Sequence, residues 1–391
     1  MDHIEKSAIA YPELAERYGD LGTKFDKKLW HQLTGALSAF VHDESNRRGD
    51  NFVTLYTEFI QKVEGKLNQL ELAKLMGPIV QSFADAESKY KFIDDLLEKK
   101  ARLGEEATLL ITLLRCHVKL ATPPPAGTAP EARAATLLEL KKDMEAKKVE
   151  VDALSGVADT VIHATFYDLA SEYYKEAGPP EEYYKHALML LSYSSMESLR
   201  PEKAMKLATD MSLAALSGDG VYNFGEVLAT PITNALEGTP NAWLGEMLRV
   251  FNRGDIRGFG VLYNANQAAF DAQPALMYRL DFVKEKLTLL ALMNLVFETP
   301  SEDRTMPFAS VAEHLQVPLE QVEWVAMRAM SLGLVKGSMD QVDQTLTIDW
   351  VQPRVLDDGQ MQHLADRLGG WAEKVEETSK FIEDQTLELG I

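Results

Sequence analysis

Chemistry needs particular residues at particular spacings, and this sequence offers few. Its one cysteine, Cys116, stands next to His117. Consecutive residues on a helix point about 100° apart, so this thiol and imidazole cannot serve each other as nucleophile and base. Preceded by Leu113-Leu114-Arg115, Cys116 reads as a small buried hydrophobe. His163 and His186 could face one another across a turn at Gly178, with Glu181 and Glu182 close by in sequence. A metal needs three or four converging ligands, so ordinary helix histidines are the default reading. Arg48-Gly49-Asp50 spells the integrin tripeptide; without a secretion signal it reads as the end of one helix and the start of another. Methionines and the tyrosines Tyr173, Tyr174, Tyr183, Tyr184 and Tyr193 could line a ligand groove, but core packing of a helical array accounts for them more simply. The sequence contains no Gly-x-Gly-x-x-Gly, phosphate-binding loop, His-Glu-x-x-His, Gly-x-Ser-x-Gly or Cys-x-x-Cys, nor the His-x-His with downstream Asp of zinc deubiquitinases. No residue is therefore assigned to catalysis, to a cofactor or to a metal.

The elements that would position any site are helices. Trp30, Leu33, Leu37 and Phe40 mark one helical face; Ile162, Phe166, Leu169 and Tyr173 mark another; Ala204, Leu207, Met211 and Ala214 mark a third. Between such segments lie breakers: Gly77-Pro78, Gly178-Pro179-Pro180, Arg200-Pro201, Ser217-Gly218-Asp219-Gly220, Gly238-Thr239-Pro240 and Arg253-Gly254-Asp255. Antiparallel helix pairs in an array are expected. Phe166 to Tyr174, a Gly178 turn and Tyr183 to Leu188 look like a tetratricopeptide-type pair, with Ala170 and Ala187 allowing close approach and Tyr173 and Tyr184 filling gaps. No strict repeat period appears, so the array is a degenerate solenoid. Ala121 to Pro130, with four prolines, cannot be a helix interior and is expected to be a loop or semi-rigid linker.

Near residue 300 the pattern changes. Met306-Pro307-Phe308 reads as extended, Ser310 as the cap of a short helix to Leu315, and Leu319 to Met330 as a second helix. A strand begins at Leu332 to Val335, Lys336 to Asp340 reads as a turn, and Gln344 to Trp350 alternates with Leu346, Ile348 and Trp350 on one side. This is a winged helix. Its second helix carries Glu320 and Glu323 against Arg328 alone, so phosphates would repel it. Protein contacts through an open strand edge are the better account. At the end, Met361, Leu364, Leu368, Trp371, Val375, Thr378 and Ile382 form a heptad seam on an acidic helix, suited to partner helices rather than to a globular core.

Composition bounds the classes. The chain has 391 residues, 46% of them apolar, enough for a large core in two or three domains. Lys plus Arg number 40 and Asp plus Glu 60, a net charge of −20 with a pI near 4.9. That argues against nucleic acid or an anionic membrane as main partner. One cysteine rules out a disulfide scaffold. The longest apolar run, Leu287 to Phe297, is too short for a bilayer. Met1 to Lys6 lacks the order of a signal peptide, so a soluble protein of a reducing compartment is expected.

A helical solenoid, a winged helix and a long last helix together resemble the layout of PCI-domain proteins, and Asn252-Arg253-Gly254-Asp255-Ile256-x-x-Phe259 resembles the turn often seen before their winged helices. Such proteins serve the proteasome lid, the signalosome and a translation initiation complex. Five strings are similar to one family, the non-ATPase subunits 13 of the 26S proteasome regulatory particle: Lys28 to Thr34, Phe166 to Ala170 with Tyr183 to Leu188, Gly220 to Glu226, Gly333 to Asp343, and Trp350 to Leu356. The resemblance spans about residues 10 to 385; the Pro-rich segment departs from it. It implies a mainly α fold: a right-handed TPR-like helical-repeat solenoid over 1–280 with a Pro-rich loop at 121–135, the winged-helix part of a PCI domain over 281–356, and a C-terminal bundle helix over 357–391. It also implies a non-catalytic scaffold without cofactors in the cytoplasm and nucleus. The implied partners are other lid PCI subunits and the lid deubiquitinase assembly, with no nucleic acid and no membrane, in a hetero-oligomer. Leu346, Ile348, Leu364, Leu368, Trp371, Val375 and Ile382 are the expected partner interface. A signalosome or translation subunit, and an enzyme with a scattered site in the solenoid, are the alternatives.

Overall fold

The computed structural model describes residues 11–47, 49–98, 100–122, 130–154, 160–196, 199–300, 304–356 and 358–388. The chain divides into two compact units, Met1–Ser195 and Met196–Ile391.

The first unit is helical. Its main helices are α1 (Ala15–Asp26), α2 (Trp30–His42), α3 (Gln69–Ser82), α4 (Ala86–Glu98), α5 (Lys100–Ala121), α6 (Pro130–Ala153), α7 (Val161–Ala177) and α8 (Pro180–Tyr193). The faces read from periodicity are the buried ones: Leu33, Leu37 and Phe40 on α2, and Ile162, Phe166, Leu169 and Tyr173 on α7. Asn68 starts α3 by accepting from the amides of Leu70 and Glu71 at 2.9 and 3.3 Å. Gly77-Pro78 does not end that helix as expected; Pro78 lies inside it. Met76, Ile79 and Val80 are buried on either side, and their burial outweighs the one amide that proline lacks.

Of the Pro-rich loop expected at 121–135, residues 123–129 lie outside those described, while Ala121 ends α5 and 130–135 are helix rather than loop. From Pro130 onward the chain is already helical. Proline suits a first helical position, where its missing amide has no intrahelical partner to lose. Arg133 then clamps the surrounding ends. It donates to the Leu120 and Thr122 carbonyls at 2.7 and 3.2 Å and to both oxygens of Glu176 at 2.6 Å, so the end of α5 and α7 are held by one guanidinium. Gly178, at φ 65°, closes α7, and its amide donates to the Tyr174 carbonyl at 2.8 Å. Helices α7 and α8 pack along each other, with Ala170 and Ala187 fully buried.

The second unit begins with α9 (Pro201–Ser217), which buries Ala204, Leu207, Met211 and Ala214 as expected. Short helical pieces lead to α10 (Ala242–Arg253) and α11 (Ile256–Ala265), and then to α12 (Leu280–Glu298), buried along most of its length. The winged helix follows: β1 (Thr305–Pro307), α13 (Phe308–Leu315), α14 (Leu319–Ser331), β2 (Val335–Asp340) and β3 (Thr345–Val351). The strands form an antiparallel sheet in the order β1-β3-β2. Last comes α15 (Asp358–Glu388).

Two local readings are corrected here. Helix α13 starts at Phe308, with Pro307 rather than Ser310 at the N-cap position and no side-chain cap, because Phe308 is itself a buried anchor of the core. Residues 336–340 are strand, not turn. The Asp340 carboxylate accepts from the amides of Val342 and Asp343 at 2.9 and 3.1 Å, and this side-chain turn moves the reversal of the hairpin to 341–344.

The packing of α7 against α8 yields a prediction. Ala170→Leu overfills a fully buried contact and should lower stability by about 1–3 kcal/mol, read as a lower midpoint in denaturant melts of the full chain. An unchanged midpoint contradicts the packing.

Candidate assembly surfaces

The residues whose types could do chemistry are engaged in packing contacts. Cys116 is buried, and burial pushes its thiol up to about 11. His117 instead meets the Thr165 carbonyl and Glu172, at 3.3 and 3.5 Å. A cleft of about 470 Å³ adjoins Cys116, yet the cations around it are matched: Arg115 with Asp94 at 3.0 Å, Lys119 with Glu139 at 3.0 Å, Lys147 with Glu150 at 2.7 Å. His163 and His186 belong to a ladder of rings rather than to a metal. His163 sits edge-on to Tyr193 at 4.9 Å, Tyr193 stacks on Tyr167 at 5.6 Å, and His186 stacks on Tyr174 at 5.0 Å. Burial holds His186 below the usual imidazole range. Among the described residues no group of three His, Cys, Asp or Glu converges for a metal, and no helix is long and apolar enough to cross a membrane. Arg48 lies outside the described residues.

Geometry in the second unit is built for rigidity. Gly254 adopts φ 62° and closes α10: its amide donates to Phe251 and that of Asp255 to Val250, at 3.0 and 3.1 Å. A Cβ on Gly254 would lie 2.6 Å from the Ala291 Cα of α12, so only glycine fits. Asp255 caps α11 by accepting from the Gly258 amide at 2.9 Å, and Phe259 meets Phe251 edge-on at 5.8 Å. Gly254, Asp255 and Phe259 of this turn therefore join α10 to α11 and let Gly254 lie against α12. The strings Gly220 to Glu226 and Trp350 to Leu356 touch. The Val355 amide donates to Asn223 at 3.2 Å, and a Cβ on Gly225 would lie 2.8 Å from the Val355 Cβ.

One residue that sequence reasoning passed over is Lys286, in the middle of α12 and fully buried. Its ammonium donates to the carbonyls of Ala215 and Gly218 at 2.7 and 2.8 Å, at the end of α9. It also lies over the rings of Tyr222, Phe224 and Phe282, at 5.3 to 5.8 Å. Arg279 donates to the Ser217 carbonyl and to Asp219 beside it. A cation at the carbonyl end of a helix meets its negative pole, and ring faces add attraction. The only sequence signal is a lysine one residue before a long apolar run.

The expected interface residues separate into two groups. Leu346 and Ile348 are corrected: both are buried, and β3 is the central strand, not an edge. Its neighbour on one side is β2 and on the other β1, where the Ile348 amide donates to the Arg304 carbonyl at 3.0 Å. The physical reason is β1, three residues that occupy the edge the hairpin would have left open. The outer edges of the sheet belong to β2 and β1. Trp350 leaves the alternating pattern and turns outward, with Lys336 4.9 Å from its ring. This follows from a register shift at Lys336/Gly337, where a Cβ on Gly337 would run into the Thr347 carbonyl. Leu364, Leu368, Trp371, Val375 and Ile382 of α15 are the second group, and all are exposed.

A helical array that runs through a long buried helix into a winged helix and a tail helix is the architecture of a PCI-domain protein. Comparisons agree: residues 17–248 match the family model described as PSD13 N-terminal repeats, and residues 263–350 match the PCI domain. The chain is 34% identical over 390 residues to the 26S proteasome non-ATPase regulatory subunit 13 homolog B of Arabidopsis thaliana, covering 100% of this chain and 98% of that protein. It is 32% identical over 389 residues to the subunit 13 of Dictyostelium discoideum, covering 100% and 98%. The chain belongs to the 26S proteasome non-ATPase regulatory subunit 13 family. A partial likeness, 27% over 215 residues, links 55% of it to the eukaryotic translation initiation factor 3 subunit M of Aspergillus terreus.

Two predictions follow from these contacts. Ile348→Pro removes a ladder donor and a core side chain from a central strand, so the isolated chain should lose on the order of 2–5 kcal/mol, seen as a lower midpoint in denaturant melts. A midpoint equal to that of the native chain contradicts the central placement. Lys286→Met leaves the Ala215 and Gly218 carbonyls buried without their donor, at a cost of about 1–3 kcal/mol; equal or higher stability would show that the ammonium is not what joins α9 to α12.

Proposed function

We propose that the chain is a non-catalytic scaffold subunit of the 26S proteasome regulatory-particle lid, supporting ubiquitin-dependent protein degradation through PCI–PCI contacts and a C-terminal assembly helix. Full-length similarity to named proteasome subunits supports the complex. The observation that carries the role is α15. Its seam residues Leu364, Leu368, Trp371, Val375 and Ile382 are 45 to 67% exposed, although burying each would contribute roughly 1.5–3 kcal/mol at most. Gly369 and Gly370 interrupt the middle of the helix, each costing about 1 kcal/mol of helix propensity. Such a helix is marginal in water and gains its order when partner helices close around the seam.

In this reading residues 1–280 form the solenoid, 281–356 the winged-helix part of the PCI domain and 357–391 the assembly helix. The strand offered to a neighbouring PCI subunit is β2, the edge of its sheet, in place of the central β3. Partners are the other lid PCI subunits and the deubiquitinase assembly, in the cytoplasm and nucleus. The partial likeness to a translation initiation subunit keeps that complex, and with it the signalosome, as the second reading. It covers about half the chain, where the proteasome likeness covers all of it.

Deleting residues 358–391 tests the role. Residues 1–356 should keep their circular dichroism and melting, while incorporation into reconstituted lid on native gels is lost. The pair Leu368→Asp and Trp371→Asp should act in the same way. Normal incorporation of the truncated chain overturns the assembly role, and unfolding of the truncated chain shows that the seam packs on this chain instead.

A further inference from the structure

Helix α14 occupies the position of a recognition helix in a winged helix, but its outward face is neither basic nor simply polar. Its inner face is anchored by Val322, Val325, Ala326 and Ala329, all buried. Its outer face carries Glu320, Trp324 and Met327 along one stripe, and Trp324 and Met327 are 52% and 48% exposed. Leu319, 42% exposed, extends the apolar surface at the start of the helix. A half-exposed tryptophan beside a methionine, on a helix held rigid from behind, has the make-up of an interface hot spot.

The charge around this surface has one sign. Glu320 and Glu323 flank Trp324 on α14 itself. The wing turn stands alongside, since Gln341 donates to Glu323 at 3.3 Å. That turn brings Asp340, Asp343 and Val342, the last 92% exposed. The nearby cations are engaged elsewhere: Arg328 pairs with Glu285 at 2.8 Å, and Lys336 covers Trp350.

We propose that the outer face of α14, together with the wing turn, docks an amphipathic helix of a partner protein that presents an apolar ridge with Lys or Arg on both flanks. Charge removes the other occupants. Residues 357–391 hold nine acids (Asp357, Asp358, Asp366, Glu373, Glu376, Glu377, Glu383, Asp384, Glu388) against three bases (Arg367, Lys374, Lys380), so the chain's own tail is repelled by an acidic rim. A second copy would bring the same rim against itself, and nucleic acid would bring phosphates. A basic helix gains both the apolar burial and the charge match, in the helix-in-surface mode of recognition. This face adjoins the end of the β2 edge at Asp340 but is separate from the tail seam, and it is independent of which complex the chain joins.

The test uses the full chain and a synthetic probe, a fluorescein-labelled peptide of about five helical turns with Leu at i, i+3, i+4 and i+7 spacing and Lys on both flanks. A matched peptide has Glu at every Lys position. Fluorescence anisotropy should show that the Lys peptide binds and the Glu peptide does not. Trp324→Ala and Met327→Ala, which leave the net charge unchanged, should each weaken binding about tenfold. The double variant Glu320→Lys with Glu323→Lys should reverse the preference between the peptides. Circular dichroism of each variant matching the native chain places these effects at the surface. The proposal is overturned if neither peptide binds, if both bind alike, or if the two alanine variants bind the Lys peptide as tightly as the native chain, because affinity would then come from net charge alone.

Discussion

The second unit depends on one buried cation. Lys286 brings a full charge into the interior of α12, where desolvation alone would cost several kcal/mol. What makes it tolerable is the end of α9: two carbonyls without intrahelical partners, the negative pole of the helix, and three aromatic faces. Neither side is satisfied without the other, so α9 and α12 have one relative placement. From α12 the constraint spreads. Ala291 admits the turn at Gly254 only because that residue has no side chain. Asn294 donates to the Asn252 carbonyl at 3.2 Å and accepts from Arg354, which follows the sheet. One helix thus ties the last repeats to the winged helix by polar contacts whose partners are already in place.

That rigidity suits the kind of surface the chain displays. Apolar residues on α15 and α14 are left outside, while the buried ammonium of Lys286 inside is matched by two carbonyls. Binding to α14, held from behind by Val322, Val325, Ala326 and Ala329, avoids the ordering cost that a mobile surface would add. The overall charge of −20 opposes close approach of two copies, since acidic surfaces repel.

The cysteine and the histidines singled out in the sequence are held in packing contacts. A thiol pushed up by burial is a poor nucleophile. His186 stacks on Tyr174 and His163 sits edge-on to Tyr193, and among the described residues no group of three His, Cys, Asp or Glu converges there. In the cleft beside Cys116, Arg115 is paired with Asp94 and Lys119 with Glu139.

What the amino-acid sequence determined by itself was everything set by short-range periodicity. The wing was legible from alternation every second residue, and the buried faces of α2, α7 and α9 and the seam of α15 follow from apolar residues recurring every three or four positions, because a helix places those residues on one side whatever surrounds it. Gly254 was legible for the same reason, as a turn between two such patterns. Three features were decided only by the tertiary structure. Pro78 continues a helix because its neighbours are buried by other helices. The central position of β3 depends on Thr305–Pro307, a strand of three residues with no pattern of its own, which docks from the far side of two helices. Lys286 reads as a surface lysine until α9 delivers its carbonyls from about 70 residues away. Strand order and the burial of a charge both depend on partners remote in the chain, and no local window of sequence contains them.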